Sequence, residues 1–134
     1  MTVVVGWTPD PRGHAALQRS AREALAHRED LLVVNATTGT AAVDDRFAGA
    51  SDVSEVHALM ESLGVEVQIR QAVARDIAEE LVAIADEVGA SLLVIGIRHR
   101  SPVSKLLLGS TAQRILLDAR CPVLAVKAAE APGR

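Results

Sequence analysis

The chain has 134 residues, 49% of them hydrophobic and 23% charged, which is the composition of a globular domain large enough to bury its own core. Its formal net charge of -3 gives no general attraction for nucleic acid or for an anionic membrane. Trp7 and Phe47 are the only aromatic residues, too few to stack on single-stranded nucleic acid. No apolar run could cross a bilayer and no signal-peptide pattern follows Met1, so we expect a cytoplasmic protein.

The first half of the chain contains two predicted strands and two predicted helices. Residues 3–5 form a short β-branched run that predicts a buried strand, and residues 31–34 predict a second one. Apolar residues at helical spacing lie between these strands. Residues 35–51 are rich in Thr, Ala, Gly and Asp and predict a loop, after which Asp52 or Ser54 is expected to cap a helix.

The second half continues the alternation of strands and helices. In residues 65–70 apolar and polar side chains alternate, which predicts a strand with one solvent-exposed face at an edge of the sheet. A helical stripe over residues 77–88 ends at Gly89, and residues 92–95 predict a strand that is apolar on both faces. A last helix then precedes a strand at residues 123–126.

Five predicted strands that alternate with four predicted helices indicate βαβ units. The expected fold is therefore α/β, a doubly wound and mostly parallel sheet with helices on both faces. We expect a single domain over residues 1–134, with residues 128–134 as a frayed tail. Open parallel sheets bind ligands beyond the carboxyl ends of their strands, where the winding direction reverses, so the site is expected in the loops at that edge.

The segment GIRHRSPVSKLLLGST, residues 96–111, is the strongest candidate for a ligand site. Gly109 and Ser110 precede the last helix, and Ser110 with Gln113 has the spacing of a capping box. The free amides at a helix start attract phosphate, and Arg and Lys side chains with His99 lie in the same segment. The same residues also fit a basic surface connector before a well-capped helix, so both interpretations stay open on the residues alone.

Signatures of other common chemistries are absent from the sequence. It contains neither a P-loop nor the G-x-G-x-x-G dinucleotide fingerprint. The histidines are scattered, the single cysteine has no partner for a metal-ligand spacing, and no G-x-S-x-G elbow is found. We therefore predict neither catalytic residues nor a metal site.

The chain resembles the universal stress protein family over essentially its whole length. That family's loop pattern is G-x-x-G, nine residues, then G-[ST], and this chain has GIRH at residues 96–99, nine residues, then GS at residues 109–110. The closing segment STAQRILLDARCPVLAVK is also similar to the family's last helix and strand. The resemblance implies a Rossmann-like sheet of order 3-2-1-4-5 with an adenine nucleotide across the switch point between strands one and four.

The resemblance also implies roles for individual residues. The expected nucleotide contacts are Thr8, Val34, Ile95, Gly96, Arg98, His99, Gly109, Ser110 and Thr111. Thr8 stands where ATP-binding members usually carry an acidic residue, and His99 stands where the motif has its second glycine. The expected interface of a homodimer is the last strand, at Val123, Leu124, Ala125 and Val126.

From the resemblance we expect a stress-response regulator or sensor that binds an adenine nucleotide, first of all ATP, with or without Mg²⁺. We do not expect an enzyme, because the loop offers no base placed to activate attack on a γ-phosphate; slow hydrolysis stays open. One alternative is a binder of AMP or cyclic AMP. The other is a dimeric interaction module that has no cofactor and docks an unidentified protein partner.

Overall fold

Strands and helices alternate along the whole of the described chain. The computed structural model describes residues 1–38, 48–97 and 109–128. The elements are β1 (Thr2–Gly6), α1 (Pro11–His27), β2 (Asp30–Thr37), α2 (Ala50–Leu63), β3 (Val67–Val73), α3 (Ile77–Val88), β4 (Ala90–Ile97), α4 (Ser110–Asp118) and β5 (Val123–Lys127). In these residues every helix is too short or too polar to span a bilayer.

The five strands form one parallel sheet in the order β3-β2-β1-β4-β5. This confirms the predicted α/β class and the predicted strand order. β1 lies in the centre, paired with β2 on one side and with β4 on the other. The chain winds outward in both directions from β1, so the switch point lies between β1 and β4. The third strand lies at an edge of the sheet, as its alternating pattern predicted.

Each face of the sheet is covered by two helices. α1 and α2 pack on the face that carries Val3, Val5 and Val94, and α3 and α4 pack on the face that carries Val4 and Leu93. The side chains of Val3, Val4, Val5, Leu93 and Val94 are fully buried, which is the reason for their continuous apolar runs in sequence. Both cores are built from aliphatic side chains, with Trp7 as the one aromatic residue in these clusters of described residues.

The predicted loop over residues 35–51 is wrong at both ends, and its residues 39–47 lie outside the described residues. β2 continues to Thr37, which still pairs with Val73 of β3, and the fully buried amide of Asn35 is satisfied within the fold. Its Nδ2 donates to the carbonyl of Trp7 at 2.9 Å, and its Oδ1 accepts from the backbone N–H of Ala48 at 2.7 Å. Asn35, a polar residue in the predicted loop, therefore links the end of β1 to the segment that leads into α2 through buried hydrogen bonds.

The predicted caps of α2 and α4 lie one or more residues away from the observed caps. Gly49 is the N-cap of α2, and Asp52 is the third helical residue, whose carboxylate accepts from the Gly49 N–H at 2.9 Å. Neither Asp52 nor Ser54 is the cap, because the chain already turns into the helix at Ala50. Gly96 was expected to follow β4 and instead lies within it.

Two glycines allow the first turn of α1 to press against its surroundings. A Cβ on Gly13 would lie 1.8 Å from the carbonyl oxygen of Thr8, and one on Gly96 would lie 2.3 Å from the carbonyl oxygen of Arg12. Only glycine permits backbone segments to approach this closely. The β1–α1 turn is consequently seated on the carboxyl end of β4.

We expect Gly96→Ala to lower the free energy of unfolding by about 1–3 kcal/mol, because the added methyl group would overlap the backbone of Arg12. Urea denaturation followed by circular dichroism measures the change. Gly109→Ala is the matched control: at Gly109 a Cβ meets no described atom within 4 Å, so stability should change by less than about 0.5 kcal/mol. Equal stability of the two variants would contradict the close contact at Gly96.

Candidate functional site

A cavity of about 290 Å³ opens at the carboxyl edge of the sheet. It lies at the switch point between the neighbouring strands β1 and β4, because the helix after β1 packs on one face of the sheet and the helix after β4 on the other. Its described lining comes from the ends of β1, β2 and β4, from the β1–α1 turn and the first turn of α1, and from α3 and α4. These are Gly6, Trp7, Thr8, Arg12, Val34, Ala36, Ile77, Leu81, Ile95, Gly96, Ile97, Gly109, Ser110, Thr111, Ala112 and Ile115.

The inner wall of the cavity is aliphatic. Val34 and Ile95, both predicted ligand contacts, lie on it with side chains that are almost completely buried. Leu81 of α3 and Ile115 of α4 complete the wall from the helices that cover this face. A flat apolar group such as a purine base fits such a wall, because burial there removes apolar surface from water.

The start of α4 forms a polar wall. Gly109 is the N-cap, with an extended backbone at φ -71° and ψ 163°, and Ser110 is the first helical residue. The predicted capping role of Ser110 is therefore wrong, because a glycine, which has no side chain to bond the helix amides, holds the N-cap position. The first amides of a helix have no intrahelical acceptor and lie at the positive end of its dipole. Ser110 and Thr111 present this helix end to the cavity.

The β1–α1 turn forms the third wall and is held by one carboxylate. Asp10 caps α1 by accepting from the Gly13 N–H at 2.8 Å, and its second oxygen accepts from the Thr8 hydroxyl at 2.9 Å. Thr8 lines the cavity, as predicted, with its hydroxyl proton directed to Asp10. Arg12 also lines the cavity, a residue that the sequence analysis missed. Its position in the first helical turn after β1, at the carboxyl edge, was the available signal.

Trp7 joins the cavity to the core. Its side chain is 5% exposed and packs in the cluster between the sheet and helices α1 and α2, while it also borders the cavity. The backbone is fixed on both sides, because the Trp7 N–H donates to the carbonyl of Val34 at 2.8 Å and the Trp7 carbonyl accepts from Asn35. Gln71 of β3 extends this network by donating to the carbonyl of Ala48 at 2.8 Å.

The structure thus brings most of the predicted ligand residues to one place. The lining includes Thr8, Val34, Ile95, Gly96, Gly109, Ser110 and Thr111. Arg98 and His99 lie outside the described residues, as do the other basic side chains of their loop. Within residues 1–38, 48–97 and 109–128, no group of three or more His, Cys, Asp or Glu side chains could hold a metal ion.

An ion pair joins the two helices that line one side of the cavity. Asp76 caps α3 by accepting from the Glu79 N–H at 3.0 Å, and it also pairs with Arg114 of α4. The hydrogen bond from the Glu79 amide, with the adjacent guanidinium of Arg114, lowers the pKa of Asp76 below its ordinary value. The start of α3 is therefore held against α4, and both helices contribute residues to the cavity, among them Ile77 and Thr111.

Comparison with known proteins places the chain in a family. The model of the universal stress protein family matches residues 1–127. A curated relative named universal stress protein, from Mycolicibacterium smegmatis, is 53% identical over 125 residues, which are 93% of this chain and 96% of that protein. The chain belongs to the universal stress protein family. The resemblance seen in its motifs is thereby confirmed.

Solved structures of universal stress proteins share this fold. One, in complex with cAMP, is 25% identical, has a TM-score of 0.74 and is matched over 96% of this chain and 98% of its own. Another, from Archaeoglobus fulgidus and in complex with dAMP, is 25% identical with a TM-score of 0.66, over 94% of this chain and 96% of its own. These two relatives bind adenine nucleotides.

The pKa of Asp76 gives a pH dependence that can be tested. Because this pKa is lowered in the folded protein, Asp76 stabilises the fold above about pH 4, and this contribution is lost as the pH falls through the folded value. We expect Asp76→Asn, which still caps the helix, to flatten the dependence of the unfolding free energy on pH below about pH 4. Urea denaturation at a series of pH values measures this.

Arg114→Gln separates the two causes of the lowered pKa. It removes the guanidinium but leaves the Glu79 amide in place, so the pH dependence should be reduced and not abolished. If Asp76→Asn has the same pH profile as the wild type, Asp76 does not stabilise this junction of α3 and α4.

Proposed function

We propose that this protein is a cytoplasmic regulator or sensor that binds an adenine nucleotide in the cavity at the switch point. The observation that carries the proposal is that the start of α4 and an aliphatic wall open into the same cavity. An adenine nucleotide has the two matching parts, an apolar base and an anionic phosphate. Family membership and the complexes of two relatives with cAMP and dAMP support the proposal.

In this arrangement the base packs against Val34, Ile95 and Leu81, and a phosphate accepts hydrogen bonds from the first amides of α4. The Thr8 hydroxyl faces the site in place of the acidic residue of ATP-binding relatives, and its proton is engaged by Asp10. Loss of a buried carboxylate acceptor weakens binding of the base or ribose by roughly 1–3 kcal/mol. The proposed site consequently depends more on the phosphate than on polar contacts to the nucleoside.

ATP is the nucleotide that we propose first, with or without Mg²⁺, on the resemblance of the loop at residues 96–111 to the family motif. AMP or cyclic AMP is the second candidate, because the relatives in complex with cAMP and dAMP hold monophosphates of adenine nucleosides. No carboxylate or imidazole belongs to the described lining of the cavity, which supports binding without efficient hydrolysis.

We further propose that the protein forms a homodimer through β5. In the described residues β5 pairs with β4 alone, to which both the Pro122 carbonyl and the Ala128 N–H are bonded. Successive residues of a strand direct their N–H and C=O groups to opposite sides, so those of Ala125 point to the open edge of the sheet. An open edge of this kind readily pairs with a second strand.

Titration calorimetry of nucleotide-stripped protein with ATP, AMP and cyclic AMP tests nucleotide binding. We expect micromolar binding of ATP, accompanied by a change in the fluorescence of Trp7, the one tryptophan of the chain, which borders the cavity. Preference for a monophosphate would select the second candidate. If folded protein binds none of the three, the nucleotide proposal is wrong and an interaction module with a protein partner becomes the better interpretation.

The variant Gly109→Leu tests whether the proposed site lies at the start of α4. Gly109 has a backbone conformation open to any residue, and a Cβ there meets no described atom within 4 Å, so the fold should tolerate the change. The leucine side chain would occupy the space for the phosphate and should weaken binding by at least roughly tenfold, or about 1.4 kcal/mol. Gly109→Ala is the control, and unchanged affinity of the leucine variant would put the site elsewhere.

The dimer is tested by Ala125→Pro, which removes the outward N–H of the edge strand and no hydrogen bond to β4. Light scattering should show a dimer for the wild type and a monomer for this variant. Val73→Pro is the matched control, since Val73 is 66% exposed and lies on the opposite edge strand β3. A wild-type monomer, or a variant that still dimerises, would contradict the proposed interface.

A further inference from the structure

Arg12 is the only charged side chain among the described residues that line the cavity. Its position is set by the backbone contact of α1 with β4. A Cβ on Gly96 would lie 2.3 Å from the carbonyl oxygen of Arg12 and 2.7 Å from the Cγ of Arg12. The first carbons of the Arg12 side chain therefore pack directly on the end of β4. The guanidinium is carried on a stem whose origin cannot shift without displacing α1.

The charge of Arg12 is only weakly compensated within the described part of the chain. Its guanidinium is 3.7 Å from Asp10 Oδ2, beyond the length of a hydrogen bond, and the side chain is 30% exposed. Asp10 also accepts from the Gly13 N–H and the Thr8 hydroxyl, which holds its carboxylate in the turn. A guanidinium with donors to spare beside a cavity is suited to bind a phosphate through paired hydrogen bonds.

Arg12 and the start of α4 approach the cavity from opposite faces of the sheet. α1 packs on the face that carries Val94 and Val126, and α4 packs on the face that carries Val123 and Ala125. Both nevertheless lie at the carboxyl edge of β4. Arg12 contacts Gly96, and the start of α4 lines the same cavity as Gly96. An anion at this edge is therefore between a positive side chain and the positive end of a helix dipole.

We infer that Arg12 contacts the phosphate of the bound nucleotide and makes the site selective for phosphorylated over unphosphorylated adenosine. This inference rests on the proposed nucleotide binding and names a residue that determines its specificity. The contact of the guanidinium with the phosphate offsets the binding energy that is lost at the nucleoside because Thr8 stands in place of an acidic residue. Specificity in this protein is accordingly shifted from the nucleoside to the anionic group.

The experiment compares AMP with adenosine, which differ by the phosphate group alone. Arg12→Met keeps an apolar stem over Gly96 and removes the charge. Arg22→Met is the matched control, because Arg22 is exposed on the same helix and its loss changes the net charge equally. Calorimetry gives the dissociation constants of both ligands for the three proteins, and urea denaturation verifies that the variants are folded.

We expect Arg12→Met to weaken AMP binding roughly 10- to 100-fold, the range for a hydrogen bond to a charged group, and to change adenosine binding by less than about twofold. Arg22→Met should change neither. Arg12→Lys should restore part of the AMP affinity, since it returns the charge without the planar fork.

Two outcomes overturn the inference and leave the nucleotide site intact. One is an equal loss of AMP and adenosine affinity in Arg12→Met, which would mean that Arg12 only shapes the cavity. The other is wild-type protein that binds adenosine as tightly as AMP. Wild-type protein that binds neither ligand, nor ATP, would overturn the proposed function together with the inference.

Discussion

The close packing of the first turn of α1 against the end of β4 is the contact on which the rest of the site depends. Gly13 lets the first turn of α1 close over the Thr8 carbonyl, and Gly96 lets that turn touch β4. Because a methyl group at either position would overlap backbone atoms, the β1–α1 turn has one position relative to the sheet. That position brings Thr8 and Arg12 to the same cavity as the start of α4. Residues from distant parts of the sequence thereby line one cavity.

The central strands are held at their carboxyl ends by hydrogen bonds as well as by apolar packing. Asn35 donates to the carbonyl of Trp7 and accepts from the backbone of Ala48, and Gln71 adds a bond to Ala48 from the neighbouring strand. A fully buried amide is tolerated because both of its polar atoms are bonded, and removal of either partner would leave a costly unpaired group. The network fixes Trp7 beside the cavity, so the aliphatic wall and the polar turn keep their relative positions.

The chemistry of the cavity differs from that expected of a site with an acidic residue after the first strand. Thr8 carries a hydroxyl bonded to the helix-capping Asp10, and Arg12, in the first turn of α1, adds a positive charge. With an aliphatic wall on one side and two sources of positive potential at β4, the cavity suits a ligand with an apolar base and an anionic group.

The sequence by itself determined the order of strands and helices, because continuous aliphatic runs and helical stripes record which faces are buried in a parallel sheet. With the family motif it also pointed to Val34, Ile95, Gly96 and the start of α4. Only the tertiary structure decided the rest, since burial and contact between distant segments leave no local pattern. The sequence predicted a loop at Asn35, whereas the structure has this residue in β2 with buried hydrogen-bond partners. The sequence predicted Ser110 as a helix cap, whereas Gly109 holds the N-cap position. No pattern in the sequence indicated Arg12, because only the contact of α1 with Gly96 brings it to the cavity.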